Sequence, residues 1–191
     1  MADYDIRLTL KREKAESSVV STAMSNRWMM HTMGIRNADV FINGWSTPQG
    51  VDVRYVEDPL TGIAFVTLRG ARSHEVAELL RRRCELWDFT EALGTLRQLK
   101  PGNKSRDSRL TAAYAAAYTA PDEPVPAMVE MFGTLAADRD PGIRQAVIVA
   151  TGYKPWPALV RLVEHLAKQD PIDHVRHNAT VLLEGLRSQQ N

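Results

Sequence analysis

The apolar positions of this chain keep two rhythms. Up to about residue 100 they mix a period of two with spacings of three and four; beyond about residue 106 only the helical spacing remains. Ile6, Leu8 and Leu10 alternate with charged or polar residues and predict a short strand. From about 13 to 33 the apolar residues Val19, Val20, Ala23, Met24, Trp28, Met29, Met30 and Met33 predict one helix, stopped at Gly34. Val40-Phe41-Ile42, then Val51, Val53 and Tyr55, then Ile63 to Leu68 read as strands. The turn Glu57-Asp58-Pro59-Leu60-Thr61-Gly62 joins the last two in a hairpin, with Pro59 fixing φ and Gly62 tolerating a positive one. Ser73 reads as the N-cap of a helix striped by Val76, Leu79 and Leu80, and a short helix follows from Trp87 through Leu93 and Leu96.

The second half predicts helices over about 107–119, 124–137, 141–152, 156–169 and 172–187. Prolines 121, 124, 126, 141, 155, 157 and 171 fall between these segments or in their first turns, where a missing N–H costs little. The polar, turn-rich stretch Pro101-Gly102-Asn103-Lys104-Ser105 reads as the linker. The expected fold class is therefore α+β: an N-terminal α/β domain with a β-hairpin over 1–100, then a helical domain over 106–191.

The helical half also repeats itself. Asp140-Pro141-Gly142-Ile143-Arg144-Gln145-Ala146 returns, loosened, as Asp173-His174-Val175-Arg176-His177-Asn178-Ala179. Ile143 and Val175 stand 32 residues apart, as do Arg144 and Arg176. These segments resemble the second-helix openings of HEAT-like repeats, with Leu110-Thr111-Ala112-Ala113-Tyr114 as a degenerate earlier copy. The resemblance covers about the last 85 residues. It implies a short α-solenoid of helical hairpins, a protein-binding function, and aspartate–arginine ladders between repeats. The 32-residue period is shorter than the ~40–47 usual for such units, and Thr111 stands where the first copy should carry arginine.

Charge narrows the function. Net charge is +1, with 14 basic and 13 acidic residues up to position 100 and 10 of each after it, so neither half is a basic module of the kind that binds nucleic acid without specificity. Cys84 is the only cysteine, which excludes an internal disulfide and points to a reducing cytoplasm. No apolar run of membrane-spanning length occurs, and the N-terminal residues lack the apolar core of a signal peptide, so no membrane partner is expected.

No phosphate loop, nucleophile elbow or His-Glu-x-x-His motif is present, and Cys84 and His74 lie about 15 Å apart along one predicted helix. A non-catalytic adaptor or regulatory subunit, with no cofactor and no metal, is the expectation. Its candidate contacts are Trp156, Arg144, Arg176 and Arg161 on the repeats and Trp28 and Met29 before them. Arg144 and Arg176 read equally as structural ladder residues pairing with Asp140 and Asp173. Trp156, between two prolines, reads as a packing wedge or an exposed edge. The run Trp28-Met29-Met30-His31-Thr32-Met33 reads as a partner groove or as a helix buried on several sides. Two other classes stay open: a nucleic-acid-binding or base-processing repeat protein using Arg144, Lys154, Arg161 and Arg176, and a ligand site or enzyme around Trp28, His31 and Trp45. His174 and His177, with Asp173 and His165, are the nearest approach to a metal cluster. Arg81-Arg82-Arg83, and Arg97, Lys100, Lys104, Arg106 and Arg109 around the linker, form the basic runs.

Overall fold

The computed structural model describes residues 6–11, 13–36, 39–100 and 105–188. It has the expected α+β class: an antiparallel five-stranded sheet with two helices, then a run of helices. The chain divides into two compact units at Trp87/Asp88, not near residue 100. The boundary moves because the helix after Trp87 packs on the helical unit. Most of the stretch read as the linker, Pro101 to Lys104, lies outside the described residues.

In the sheet unit the strands are β1 (Ile6–Leu10), β2 (Met29–Thr32), β3 (Phe41–Ser46), β4 (Asp52–Glu57) and β5 (Ala64–Arg69), in the order β1-β5-β4-β3-β2. Helix α1 (Ala15–Ser25) and helix α2 (Ser73–Arg83) pack on each other, and α2 lies against β1 and β5. Register puts Leu8 opposite Val66, Val66 opposite Tyr55, and Tyr55 opposite Asn43, so one sheet face gathers the apolar positions of the inner strands. That face joins Val19 and Ala23 of α1 and Val76, Ala77 and Leu80 of α2 in one buried core. The expected β4–β5 hairpin is present, with positive φ at Gly62. Ser73 is the first residue of α2, not its cap; its hydroxyl donates to the Gly70 carbonyl at 2.7 Å.

The helix predicted over 13–33 is half that long. It ends at Ser25 in a Schellman turn, where the Trp28 N–H donates to the Ala23 carbonyl at 2.9 Å and the Arg27 N–H to the Met24 carbonyl at 3.2 Å. Arg27 takes the left-handed position (φ 54°) that glycine usually fills. Trp28 then enters the core beside Ala23, and Met29 starts β2. Tertiary burial of one tryptophan outweighs the helical spacing of the methionines after it.

The helical unit contains α3 (Phe89–Gln98), α4 (Arg106–Thr119), α5 (Pro126–Ala136), α6 (Pro141–Tyr153), α7 (Pro157–Gln169) and α8 (Asp173–Ser188). Proline opens α5, α6 and α7 at the first turn, as the punctuation predicted. Asp88 caps α3 by accepting from the Glu91 N–H, and Asp140 caps α6 by accepting from the Gly142 N–H at 2.8 Å. Pairs α3–α4 and α7–α8 pack closely; α4 meets α6, α6 meets α8, and α5 meets α7. Met128, Phe132, Ile143, Leu159, Val163 and Val175 fill the core between them.

Candidate interaction surface

The ion pairs of the helical unit are the first place to look for binding arginines, and they prove internal. Arg144 forks onto Asp170, Nε to Oδ2 at 2.6 Å and Nη2 to Oδ1 at 2.8 Å, with side chains only 8% and 1% exposed. Its Nη1 donates to the Asp138 carbonyl at 2.9 Å. Earlier in the chain, Arg109 donates to Asp138 Oδ2 at 2.5 Å, also buried. The two aspartates are treated alike: each Oδ1 accepts the N–H two residues on (Asp140, Ile172), and each carbonyl accepts the arginine six residues on (Arg144, Arg176).

The ladder therefore differs from the one expected. Its aspartates are Asp138 and Asp170, not Asp140, which caps α6 and receives Arg106 at 2.6 Å. Its first arginine is Arg109, two residues before Thr111. Arg176 does bond Asp173, at the surface. The Arg144 guanidinium holds Asp170 below the usual aspartate range against the opposing effect of burial. At Asp138 burial pushes the pKa up, but the Asp140 amide and Arg109 outweigh it and hold it down.

Of the six candidate contacts, Trp28, Arg144 and Trp156 are buried. Trp156 is a wedge: its ring lies in the core and its Nε1–H donates to the Asp122 carbonyl at 2.9 Å. Of the four basic residues considered for nucleic acid, Arg144, Lys154 and Arg176 are committed to aspartates, while Arg161 is exposed on α7. No continuous basic face results among the described residues. Arg106 and Arg109 of the linker cluster are likewise ion-paired, Lys104 lies outside the described residues, and Arg81 pairs with Glu78. His165, His174 and His177 are exposed, and no group of three or more metal-donor side chains occurs among the described residues.

Around the third candidate centre, Trp28 and Trp45 belong to the sheet unit's core. The depression beside Trp28, bordered by Gln49, Arg72, Glu75 and Leu79, has a volume of about 170 Å³, smaller than the ~300–1,000 Å³ of ordinary ligand pockets. Burial pushes the Cys84 thiol up, away from thiolate character, and His74 is exposed. His31 lies flat on Gly44, where a Cβ would meet its Cε1 at 2.6 Å. Its Nδ1 is 3.0 Å from Thr32 Oγ1 and its Nε2 is 2.9 Å from Asp52 Oδ1, while Arg54 Nε donates to Asp52 Oδ2 at 2.8 Å. This hydroxyl–imidazole–carboxylate chain pins β2 across β3 to β4. Nucleophilic use of Thr32 would need a preorganised, water-excluding site, and both Thr32 and His31 stand exposed.

What the sheet unit does present is apolar side chains. Met24, Met29, Met33 and Ile35 are 76, 73, 76 and 73% exposed, and Met30 and Val40 are also exposed. Among the described residues the other large apolar side chains at the surface, Leu60, Ile172 and Val181, are scattered. Every residue of β2 is exposed, at the edge of the sheet. The opposite edge is handled differently: Leu10 bridges Leu86, the Lys11 N–H donates to the Glu85 carbonyl, and the Trp87 N–H donates to the Thr9 carbonyl, so residues 85–87 cover β1.

The loop after β2 is anchored through alternate residues. The Gly34 N–H donates to Asn43 Oδ1 at 2.9 Å, and a Cβ at Gly34 would strike the Phe41 ring. Arg36 lies over that ring at 4.0 Å and pairs with Glu57 and Glu16. With Gly34 and Arg36 held inward, Met33 and Ile35 face outward. Of the expected contacts this surface contains Met29. Met24, Met33 and Ile35 join it because the chain leaves the helix at Ser25, eight residues before the stop expected at Gly34. Compared with known protein families, curated proteins and solved structures, the chain matches none.

Proposed function

We propose that this protein is a non-catalytic interaction module that meets another protein through the apolar edge formed by the end of α1, β2 and residues 33–36. The observation that carries this reading is the concentration of exposed methionine and isoleucine side chains between 24 and 35, on backbone fixed by hydrogen bonds. Water-exposed apolar surface is stabilised by being covered, and methionine adapts to an irregular partner. The helical unit is read as a short HEAT-like stack serving as scaffold, supported by the recurrence of one arginine–aspartate corner at Asp138 and Asp170. A cytoplasmic setting is supported by the single free thiol of Cys84; among the described residues no helix is long and apolar enough to cross a membrane.

The test uses two baits besides the wild type, each checked for native circular dichroism. A partner captured by the wild type should be lost on Met29→Asp/Met33→Asp and kept on Arg161→Glu. Loss on Arg161→Glu with retention on the methionine variant would move the contact to the helical unit and refute the edge as the binding surface.

A further inference from the structure

We infer that the occupant of the apolar edge is a second copy of this chain, packed about a twofold axis through the region of His31; this rests on the reading of the edge as an interaction surface. Area is the first argument. Met24, Met29, Met30, Met33, Ile35 and Val40 together expose side-chain surface on the order of the ~800 Å² that each partner gives to a standard interface, and more than the few hundred Å² of a typical monomer's largest apolar patch.

Charge is the second. Residues 28–35 contain no Asp, Glu, Lys or Arg. An isologous contact sets each residue against itself or its near neighbours, so a charged run would meet its own sign across the axis. This run has none to oppose, and Arg36 beyond it is already paired with Glu57 and Glu16.

The edge also limits how the copies meet. β2 has four residues, and its pairing with β3 slips at His31, between Met30 and Thr32. Short, bulged edges resist extension of the hydrogen-bond ladder. The copies therefore join through side chains, and the contact closes as a dimer instead of propagating into a fibre. Because Gly34 and Arg36 fix the loop, little ordering is required on association.

Light scattering on the full chain after size exclusion tests this directly, over loading from roughly 1 to 100 μM, the range in which a modest interface assembles. The wild type should reach twice the 21.4 kDa of one chain. Met29→Asp/Met33→Asp should raise the dimer Kd by about 100-fold or more, because each charge is buried twice. Val181→Asp, at an exposed apolar position on α8, should leave the dimer intact. A wild-type mass of one chain throughout, or a dimer lost only in Val181→Asp, overturns the inference. A monomeric wild type that still captures another protein through Met29 and Met33 leaves the interaction reading standing; a monomer that captures none defeats both.

Discussion

In the helical unit, charge lies inside: Arg144 and Asp170 are buried, forked together and bonded to the loop carbonyls around them. At the β2 edge of the sheet unit, apolar side chains lie outside, with Met33 and Ile35 turned to water on either side of a glycine that is hydrogen-bonded inward. The difference teaches that composition alone does not tell core from surface. A charge can be buried when a partner of matching geometry returns at a fixed interval. An apolar residue stays exposed when its neighbours hold the backbone in place and leave it no core to enter.

The strongest way to break this comparison is to remove one side of the buried pair. Arg144→Ala should cost about 3–5 kcal/mol, since Asp170 is left charged and unpaired, read as an earlier unfolding transition of the helical unit in denaturant. Arg36→Ala, whose guanidinium is 58% exposed, should shift unfolding of the sheet unit far less. Equal effects would mean that the two ion-pair clusters do not differ as burial implies.

Acid sharpens the same contrast. Asp170 and Asp138 titrate below the usual aspartate range in the folded protein, so they contribute stability above the unfolded value of about 4. That stability is lost as pH falls through the depressed folded values. Asp170→Asn should lower stability at neutral pH and flatten the acid limb of a stability-against-pH curve; an unchanged limb would show that the pair carries no linkage.

A smaller effect is expected at the turn that ends α1. Arg27→Gly removes the left-handed strain at φ 54° and should stabilise the sheet unit by up to ~1 kcal/mol, after allowing for the added freedom of the unfolded glycine. The smallest is expected at the edge itself: Met29→Asp/Met33→Asp should change the stability of the dilute monomer by no more than about 0.5 kcal/mol. A large loss there would show these methionines to be core.

Much of the fold was legible because local signals and packing agree. Prolines 126, 141 and 157 open helices where the punctuation predicted, and the β4–β5 hairpin follows Pro59 and Gly62. The Schellman turn after α1 was hidden, since its left-handed residue is arginine and the methionines beyond it keep helical spacing. The ladder was half legible: Arg144 and Arg176 stand out by their interval, but Asp140, beside Pro141 and Gly142, masks Asp138, whose role depends on an arginine on α4. At the candidate surface, Gly44 inside a strand was the available clue to His31 lying across it. Exposure at 33 and 35 depends on the anchoring of 34 and 36, which no spacing rule reveals.

Peroxide footprinting of the methionines over protein concentration tests most directly whether the β2 edge is where this protein is covered. Met29 and Met33 should oxidise readily in dilute solution and be protected at high concentration, while Met128, fully buried in the helical unit, stays slow throughout. Oxidation of Met29 and Met33 at one unchanged fast rate across the whole range would contradict it.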